Sequence, residues 1–209
     1  MSDYKSFLSK HSYDAYFKEI KSRGKFHYLI GLFVRWKQSL KYARAVQIAR
    51  RKGATIGDGV IMPLSLAKKA NKNLVIGNHV SIQTDKIDLR SPVHIGNYVI
   101  IGFDTEIITT SHDINSVTFD VKYYGIVIED YVWIPTKVMI LPSCRRISFG
   151  AVVGSGSVVV KNIPSLCVVS GNPASVLKQR EKVHSELVVE KLLGGDFYIY
   201  LKCKSNDSK

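Results

Sequence analysis

The sequence predicts a mainly β chain: a solenoid of short parallel strands between an N-terminal helical segment and a C-terminal helix/strand extension. Two positional patterns predict it. An aliphatic residue returns every sixth position, with starts at Ile56, Ile76, Ile82, Ile95, Ile101 and Ile107, and after an interruption at Ile128, Ile134, Ile140, Ile147, Val153 and Val159. Four places on stand compact residues, among them Val60, Val80, Val99, Thr105, Val132, Val138, Cys144, Ala151 and Ser157. A helix repeats at about 3.6 and a simple strand at about 2, so a period of six with glycine after several starts reads as strands turned at tight corners and stacked coil on coil. An ordinary β-sandwich has no reason to keep so many hexads in phase.

The elements follow in order. Residues 1–53 carry 13 Lys and Arg against 3 Asp and Glu, a surplus of +10 in a chain whose net charge is +13. Within them residues 26–36 are apolar and aromatic, and residues 37–52 space basic side chains through a helical stretch. A basic helix with aromatic anchors fits the surface of an anionic membrane. The same helix could pack as a cap on the first coil, and the two readings are compatible. Nucleic acid is not expected as a partner, because no zinc, RNP or basic-zipper pattern accompanies the charge.

Residues 54–173 form the solenoid, with a loop at about 111–127. From Ile107 to Ile128 is 21 residues, three more than three hexads, so the chain must leave the coil there. Residues 174–209 read as a helical cap and tail, since an open solenoid end needs closing. Residues 175–180 and 183–193 look helical, Gly194-Gly195 is a stop signal, residues 197–201 read as a short strand, and 205–209 as a frayed tail.

Length allows one sizeable core. Cys144, Cys167 and Cys203 have no CxxC spacing and cannot all pair with one another, which argues against a secreted disulfide framework; Cys144 falls on a core position and reads as a small hydrophobe. The start, Met1-Ser2-Asp3-Tyr4-Lys5, has no signal-peptide apolar region, and no uncharged run approaches the ~20 residues of a membrane span. The expected place is the cytoplasm, with peripheral contact at the inner face of the cytoplasmic membrane through residues 1–53.

The hexads, the loop histidine, Val132-Trp133-Ile134, the run Val153-Gly154-Ser155-Gly156-Ser157-Val158-Val159-Val160-Lys161-Asn162-Ile163-Pro164, and Gly171-Asn172-Pro173-Ala174 together resemble the hexapeptide-repeat acyltransferases, especially the galactoside and polysaccharide O-acetyltransferases. The resemblance runs from about Gly53 to about Arg180. It implies a left-handed parallel β-helix with three hexads per coil, a homotrimer with active sites between subunits, and acetyl-CoA as cosubstrate. Handedness comes from the resemblance alone, because the general rule for parallel crossovers favours the right hand.

His112 stands at the root of the loop, where the resembling enzymes carry the general base that deprotonates the acceptor hydroxyl for direct attack on the thioester. A histidine suits the task because its ordinary pKa of about 6.5 leaves it neutral yet able to take a proton. By resemblance the segment after Trp133 supplies a backbone N–H to the developing oxyanion, which lands on Thr136. Pro135 stands where the family commonly has glycine, and a proline has no N–H to give.

For the cofactor, Trp133 lines the thiol channel, Gly154 and Ser155 permit close approach of pantetheine, and Lys161 and Lys178 meet phosphates as point charges. The small residues also make tight corners. On the acceptor side Gln83 matches a polar position of the sugar acetyltransferases, Asp85 is nearby, Asp113 or a backbone carbonyl is a candidate to orient the imidazole, and Tyr123 and Tyr124 could stack on a sugar face.

The reading is an acetyl-CoA-dependent O-acetyltransferase acting on a sugar hydroxyl of a surface-polysaccharide precursor (capsule, O-antigen or exopolysaccharide), without a metal. An amine acceptor and a non-catalytic solenoid scaffold stay open as alternatives. A γ-type carbonic anhydrase needs three histidines on zinc, and His79, His94 and His112 are too isolated to form that set.

Overall fold

A computed structural model describes residues 13–205. Residues 1–12 of the N-terminal segment and residues 206–209 of the expected tail lie outside the described residues.

Three sheets take up the hexads in rotation. The first holds β1 (Thr55–Ile56), β2 (Leu74–Ile76), β4 (Val93–Ile95), β9 (Ile126–Ile128) and β12 (Arg146–Ile147), all parallel. The second runs in parallel through β3 (Ser81–Ile82), β5 (Ile100–Ile101), β10 (Trp133–Ile134), β13 (Val152–Val153) and β15 (Cys167–Gly171). The third holds β6 (Glu106–Ile107), β11 (Met139–Ile140) and β14 (Val158–Val159).

In a two-residue strand one side chain points in and one out. The hexad starts are the inward ones: Ile76, Ile95, Ile128, Ile82, Ile101, Ile134, Ile107, Ile140 and Val159 all belong to one buried cluster. Their upstream neighbours Trp133 and Met139 are exposed. The spacing of paired residues gives the coil length: Trp133 pairs with Val152 and Met139 with Val158, 19 residues on in each case. Across the interruption the same spacing is 33, as between Ile100 and Trp133. The excess leaves the sheets as an antiparallel hairpin, β7 (Thr110–His112) with β8 (Val121–Tyr123).

One corner of the coil is a ladder. His79, Tyr98 and Tyr131 each adopt positive φ (56°, 56° and 59°), a strained region for such side chains. Their rings stack at 5.0 and 4.9 Å, and the residues before them chain amide to side chain, with Asn78 N–H donating to Asn97 at 2.8 Å and Asn97 N–H to Asp130 at 2.7 Å. These contacts hold the turn.

The described part of the N-terminal segment holds two helices, α1 (Asp14–Lys21) and α2 (Lys25–Arg51). The end of α2 closes the first coil through small residues. Ala45 and Ala49 join Met62, and Leu66 and Ala67 of α3 (Leu64–Lys69), in the cluster that includes Ile56, while the Arg50 guanidinium donates to the Ile56 carbonyl at 2.6 Å on the open edge of β1.

Three expectations for the C-terminus are corrected. Residues 175–180 are not helical: β16 (Ala174–Gln179) turns back antiparallel on β15, because the edge of that strand offers unpaired backbone groups. Of residues 183–193 only Val189–Leu193 forms a helical turn, a 3-10 one, which ends at Gly194 with φ +69°. Residues 197–201 are not a strand but the start of α4 (Phe197–Ser205). Packing overrides their aromatic and β-branched composition, since Tyr200 and Cys203, three apart, both turn inward onto Tyr16, Ile20 and Tyr28. Tyr28 and Tyr200 stack at 4.9 Å, and a Cβ on Gly31 would stand 2.5 Å from the Tyr200 hydroxyl, so only glycine lets α2 approach α4 this closely.

Candidate active site

The hairpin is anchored at its root by Asp88. Its carboxylate takes the Thr110 hydroxyl at 2.9 Å and two bonds from Arg90 at 2.9 and 3.0 Å, and its carbonyl takes the Thr109 hydroxyl at 3.1 Å. Burial alone would raise the pKa of this carboxyl, but the bonds from Arg90, Thr110 and Thr109 outweigh it and hold the group well below the ordinary carboxylate range. Sequence reasoning gave Asp88 no role and missed the anchor.

His112 lies exposed on β7. Its ring stacks on Phe119 at 3.9 Å, and its Nδ1 is 2.7 Å from the Phe119 carbonyl oxygen. A carbonyl only accepts, so Nδ1 carries the proton and Nε2 keeps its lone pair as the basic site. Of the two candidates to orient the imidazole, the backbone carbonyl makes the contact; Asp113 pairs with Lys122 at 2.8 Å and receives the Asn115 N–H at 3.0 Å, bracing the hairpin turn. Tyr123 is exposed on β8, and the Tyr124 ring lies under the Arg145 guanidinium at 5.1 Å.

A cavity of about 460 Å³ opens on the second sheet, lined by Gln83, Ile100, Gly102, Trp133, Pro135 and Thr136 from the coil and by Arg180, His184, Leu187 and Leu192 from the C-terminal segment. It brings together three residues singled out in the sequence: Gln83, Trp133 and Thr136. The Thr136 carbonyl accepts from Gly156 N–H at 3.1 Å, whereas its own N–H bonds to nothing among the described residues. A Cβ on Gly102 would stand 2.6 Å from the Pro135 carbonyl carbon and 2.7 Å from the Thr136 nitrogen, so the position of that N–H depends on glycine at 102.

The other candidates lie elsewhere. Asp85 pairs with Lys69 at 3.4 Å in a separate groove. Gly154 packs against the next coil, where a Cβ would stand 2.3 Å from the Ser170 hydroxyl, and Ser155 sits exposed in the adjoining corner. Lys161 and Lys178 are exposed, the latter on β16, and neither lines the cavity. His112 does not line it either. Among the described residues no cluster of three His, Cys, Asp or Glu side chains is placed to hold a metal ion. Cys144, Cys167 and Cys203 are buried free thiols, and burial pushes the Cys144 thiol up to about 11, which suits a core residue rather than a nucleophile.

Two residues to which sequence reasoning gave no role, Arg180 and His184, help form the cavity wall. Arg180 donates to the carbonyls of Tyr131 at 3.1 Å, Gly150 at 3.0 Å and Lys182 at 2.6 Å, and meets His184 Nδ1 at 3.0 Å. His184 Nε2 donates to the Tyr98 carbonyl at 2.7 Å, so both its nitrogens are engaged and it has no lone pair for catalysis. No local motif announces either residue, because every partner but Lys182 and His184 is far along the chain.

The same segment is latched by His79 Nδ1 on Glu190 Oε1 at 2.6 Å, with the carboxylate almost fully buried. The bond from Glu190 raises the His79 pKa above 6.5 against the opposing effect of burial. A raised folded pKa contributes stability that is fully present below the unfolded value and is lost as pH rises through the folded one. Glu190→Gln therefore lowers the thermal midpoint most below pH 6.5, and the gap from wild type narrows as His79 loses its proton. Midpoints taken from about pH 5 to about pH 9 check this, and a gap that does not change with pH contradicts it.

No family model matches the chain. Among solved structures, the hexapeptide-repeat containing acetyltransferase VCA0836 of Vibrio cholerae superposes with a TM-score of 0.50 over 85% of this chain and 99% of its own, at 22% identity, which shows a shared fold. WcaF of Escherichia coli K12, an acetyltransferase provisionally named for colanic acid biosynthesis, is 30% identical over 146 residues, 69% of this chain and 80% of WcaF. The chain belongs to the hexapeptide-repeat acetyltransferases. A galactoside O-acetyltransferase of Lactococcus lactis is a further relative of this acetyltransferase, 27% identical over 143 residues, 64% of the chain and 67% of its own length. No helix among the described residues of this acetyltransferase is long and apolar enough to cross a membrane.

Proposed function

We propose that this acetyltransferase moves the acetyl group of acetyl-CoA onto a sugar hydroxyl in a surface-polysaccharide precursor. The observation that carries the reading is the His112 imidazole, with Nδ1–H committed to the Phe119 carbonyl and Nε2 left basic on a projecting hairpin. His112 Nε2 takes the hydroxyl proton as the sugar oxygen attacks the thioester carbonyl. The carbonyl oxygen gains negative charge opposite the Thr136 N–H, and the C–S bond breaks as the tetrahedral intermediate collapses. The coenzyme A thiolate leaves, and the proton on His112 returns to it. Trp133, half exposed at the cavity wall, suits the thiol arm, and Gln83 suits a sugar hydroxyl.

The catalytic set is divided in the single chain, since His112 stands on the hairpin and Thr136 in the cavity. We infer that copies assemble as a trimer of left-handed parallel β-helices, in which the hairpin of one copy meets the cavity of the next. Ile114 and Val117 at the hairpin tip are almost fully exposed apolar residues, as a subunit contact requires. Relatives named for colanic acid biosynthesis and for galactoside acetylation support a sugar acceptor.

The test is release of the coenzyme A thiol from acetyl-CoA across a panel of sugars and amino sugars. Sugar-dependent release with the acetyl group recovered as an ester supports the reading. Transfer only to amines replaces it with N-acetylation, and no acceptor-dependent release favours a scaffold. For the assembly, sedimentation is expected to give three copies, and mixing inactive His112→Ala with inactive Gly102→Ala subunits is expected to restore part of the activity. A stable monomer with full activity overturns the shared site.

A further inference from the structure

Over its first half helix α2 is apolar on both sides: Tyr28 and Leu32 pack inward on the cluster around Tyr200, and a second apolar set faces out. Gly31, Arg35, Gln38 and Ser39 lie partly covered on the side toward the rest of the chain, whereas Phe26, Leu29, Phe33, Trp36 and Leu40 lie exposed on the other, Phe26 to 72%. Their spacing of three and four places them on one stripe of the helix. Basic residues begin beside the end of the stripe and continue past it, with Lys37, Lys41 and Arg44 all exposed, and Lys37 Nζ lies 4.4 Å from the Phe33 ring.

We propose that this face is a docking surface for an anionic membrane, on which α2 lies flat with its aromatic half in the headgroup region. A soluble monomer rarely exposes so continuous an apolar stripe, so the face calls for an occupant. Charge selects which one. Residues 1–53 carry a surplus of +10, and a second copy docked face to face would set Lys37, Lys41 and Arg44 against their own equivalents. Anionic lipid complements that charge while its acyl boundary accepts the aromatic side chains. None of these residues lines the cavity or the hairpin, so the proposal stands or falls apart from the catalytic reading.

The experiment is flotation of the full-length protein with vesicles of phosphatidylcholine alone and of phosphatidylcholine mixed with phosphatidylglycerol, at low and at high salt. Wild type is expected to float with the anionic vesicles only, and salt is expected to release it as the charges are screened. Lys37→Gln/Lys41→Gln/Arg44→Gln is expected to weaken partitioning about 10²-fold at low salt, on the scale of three basic residues at a charged surface. Phe33→Ser/Trp36→Ser is expected to weaken it as well, while both variants keep wild-type acetyl transfer to a soluble acceptor. The wild-type arm decides even if a variant fails to fold: protein that ignores anionic vesicles at low salt overturns the proposal. So does a folded Phe33→Ser/Trp36→Ser variant that floats normally or that merely falls apart into smaller assemblies, which would make the face a contact between copies.

Discussion

Replacing His112 with alanine is expected to lower turnover by about 10²-fold or more while leaving coenzyme A binding close to wild type, the signature of a lost general base. The geometry separates those two effects. His112 stacks on Phe119 and bonds its carbonyl on an exposed hairpin, so its removal deletes no buried contact, and the cavity that holds Trp133 and Thr136 is lined without it. The hairpin itself is held by Asp88 at its root and by the Asp113–Lys122 pair and the Ser116–Asp120 bond beyond His112. Steady-state kinetics beside a coenzyme A titration make the check. Near-normal turnover removes His112 from the mechanism, and a variant that no longer binds coenzyme A gives the histidine a structural role.

How far the sequence could be read depended on the range of each contact. The inward residues were legible because a hexad start such as Ile101 or Ile134 is buried by the same local geometry at every turn, and periodicity reports local geometry. The break between Ile107 and Ile128 was legible for the same reason, as a loss of phase that coincides with the hairpin. A backbone carbonyl was a candidate partner for His112, but that it is Phe119, seven residues on, was not legible, because it depends on how the hairpin turns. The wall made by Arg180 and His184 was illegible for a stronger reason: His184 meets Tyr98 across 86 residues, and nothing in its neighbours records that. The misread C-terminus shows the limit of composition. Residues 197–201 carry strand-forming side chains, yet α4 forms there because Tyr28 and Tyr16 offer a surface that only helical spacing can meet.

Asp196→Ala is expected to be the most destabilising single change in the helical part of the chain, by about 3 kcal/mol, or roughly 10 °C in thermal midpoint at matched protein concentration. The Asp196 side chain is fully buried where α1, α2 and α4 meet. Its carboxylate takes the Tyr16 hydroxyl and stands 2.9 Å from Arg35 Nε, an ion contact rather than an aligned hydrogen bond, while its carbonyl takes Tyr200 N–H, four residues on in α4, at 2.8 Å. Burial and the carboxylate together raise the Tyr16 hydroxyl far above its ordinary pKa, so it stays a donor at any working pH. Forming such a buried pair gains little net stability, because desolvation offsets attraction; removing one partner is costly, because the other stays buried and unpaired. Arg35, now 15% exposed, would keep only the Tyr200 ring at 4.1 Å and the Gly31 carbonyl at 3.3 Å, with no counter-charge, and Tyr16 would lose its acceptor. Asp196→Asn keeps an acceptor for Tyr16 but not the charge, so it should fall between alanine and wild type. The double change Asp196→Leu/Arg35→Met removes both charges and should recover most of the loss. Thermal melts of the four proteins decide the matter: a double variant no more stable than Asp196→Ala would mean that packing around α4, not the unpaired guanidinium, carries the cost.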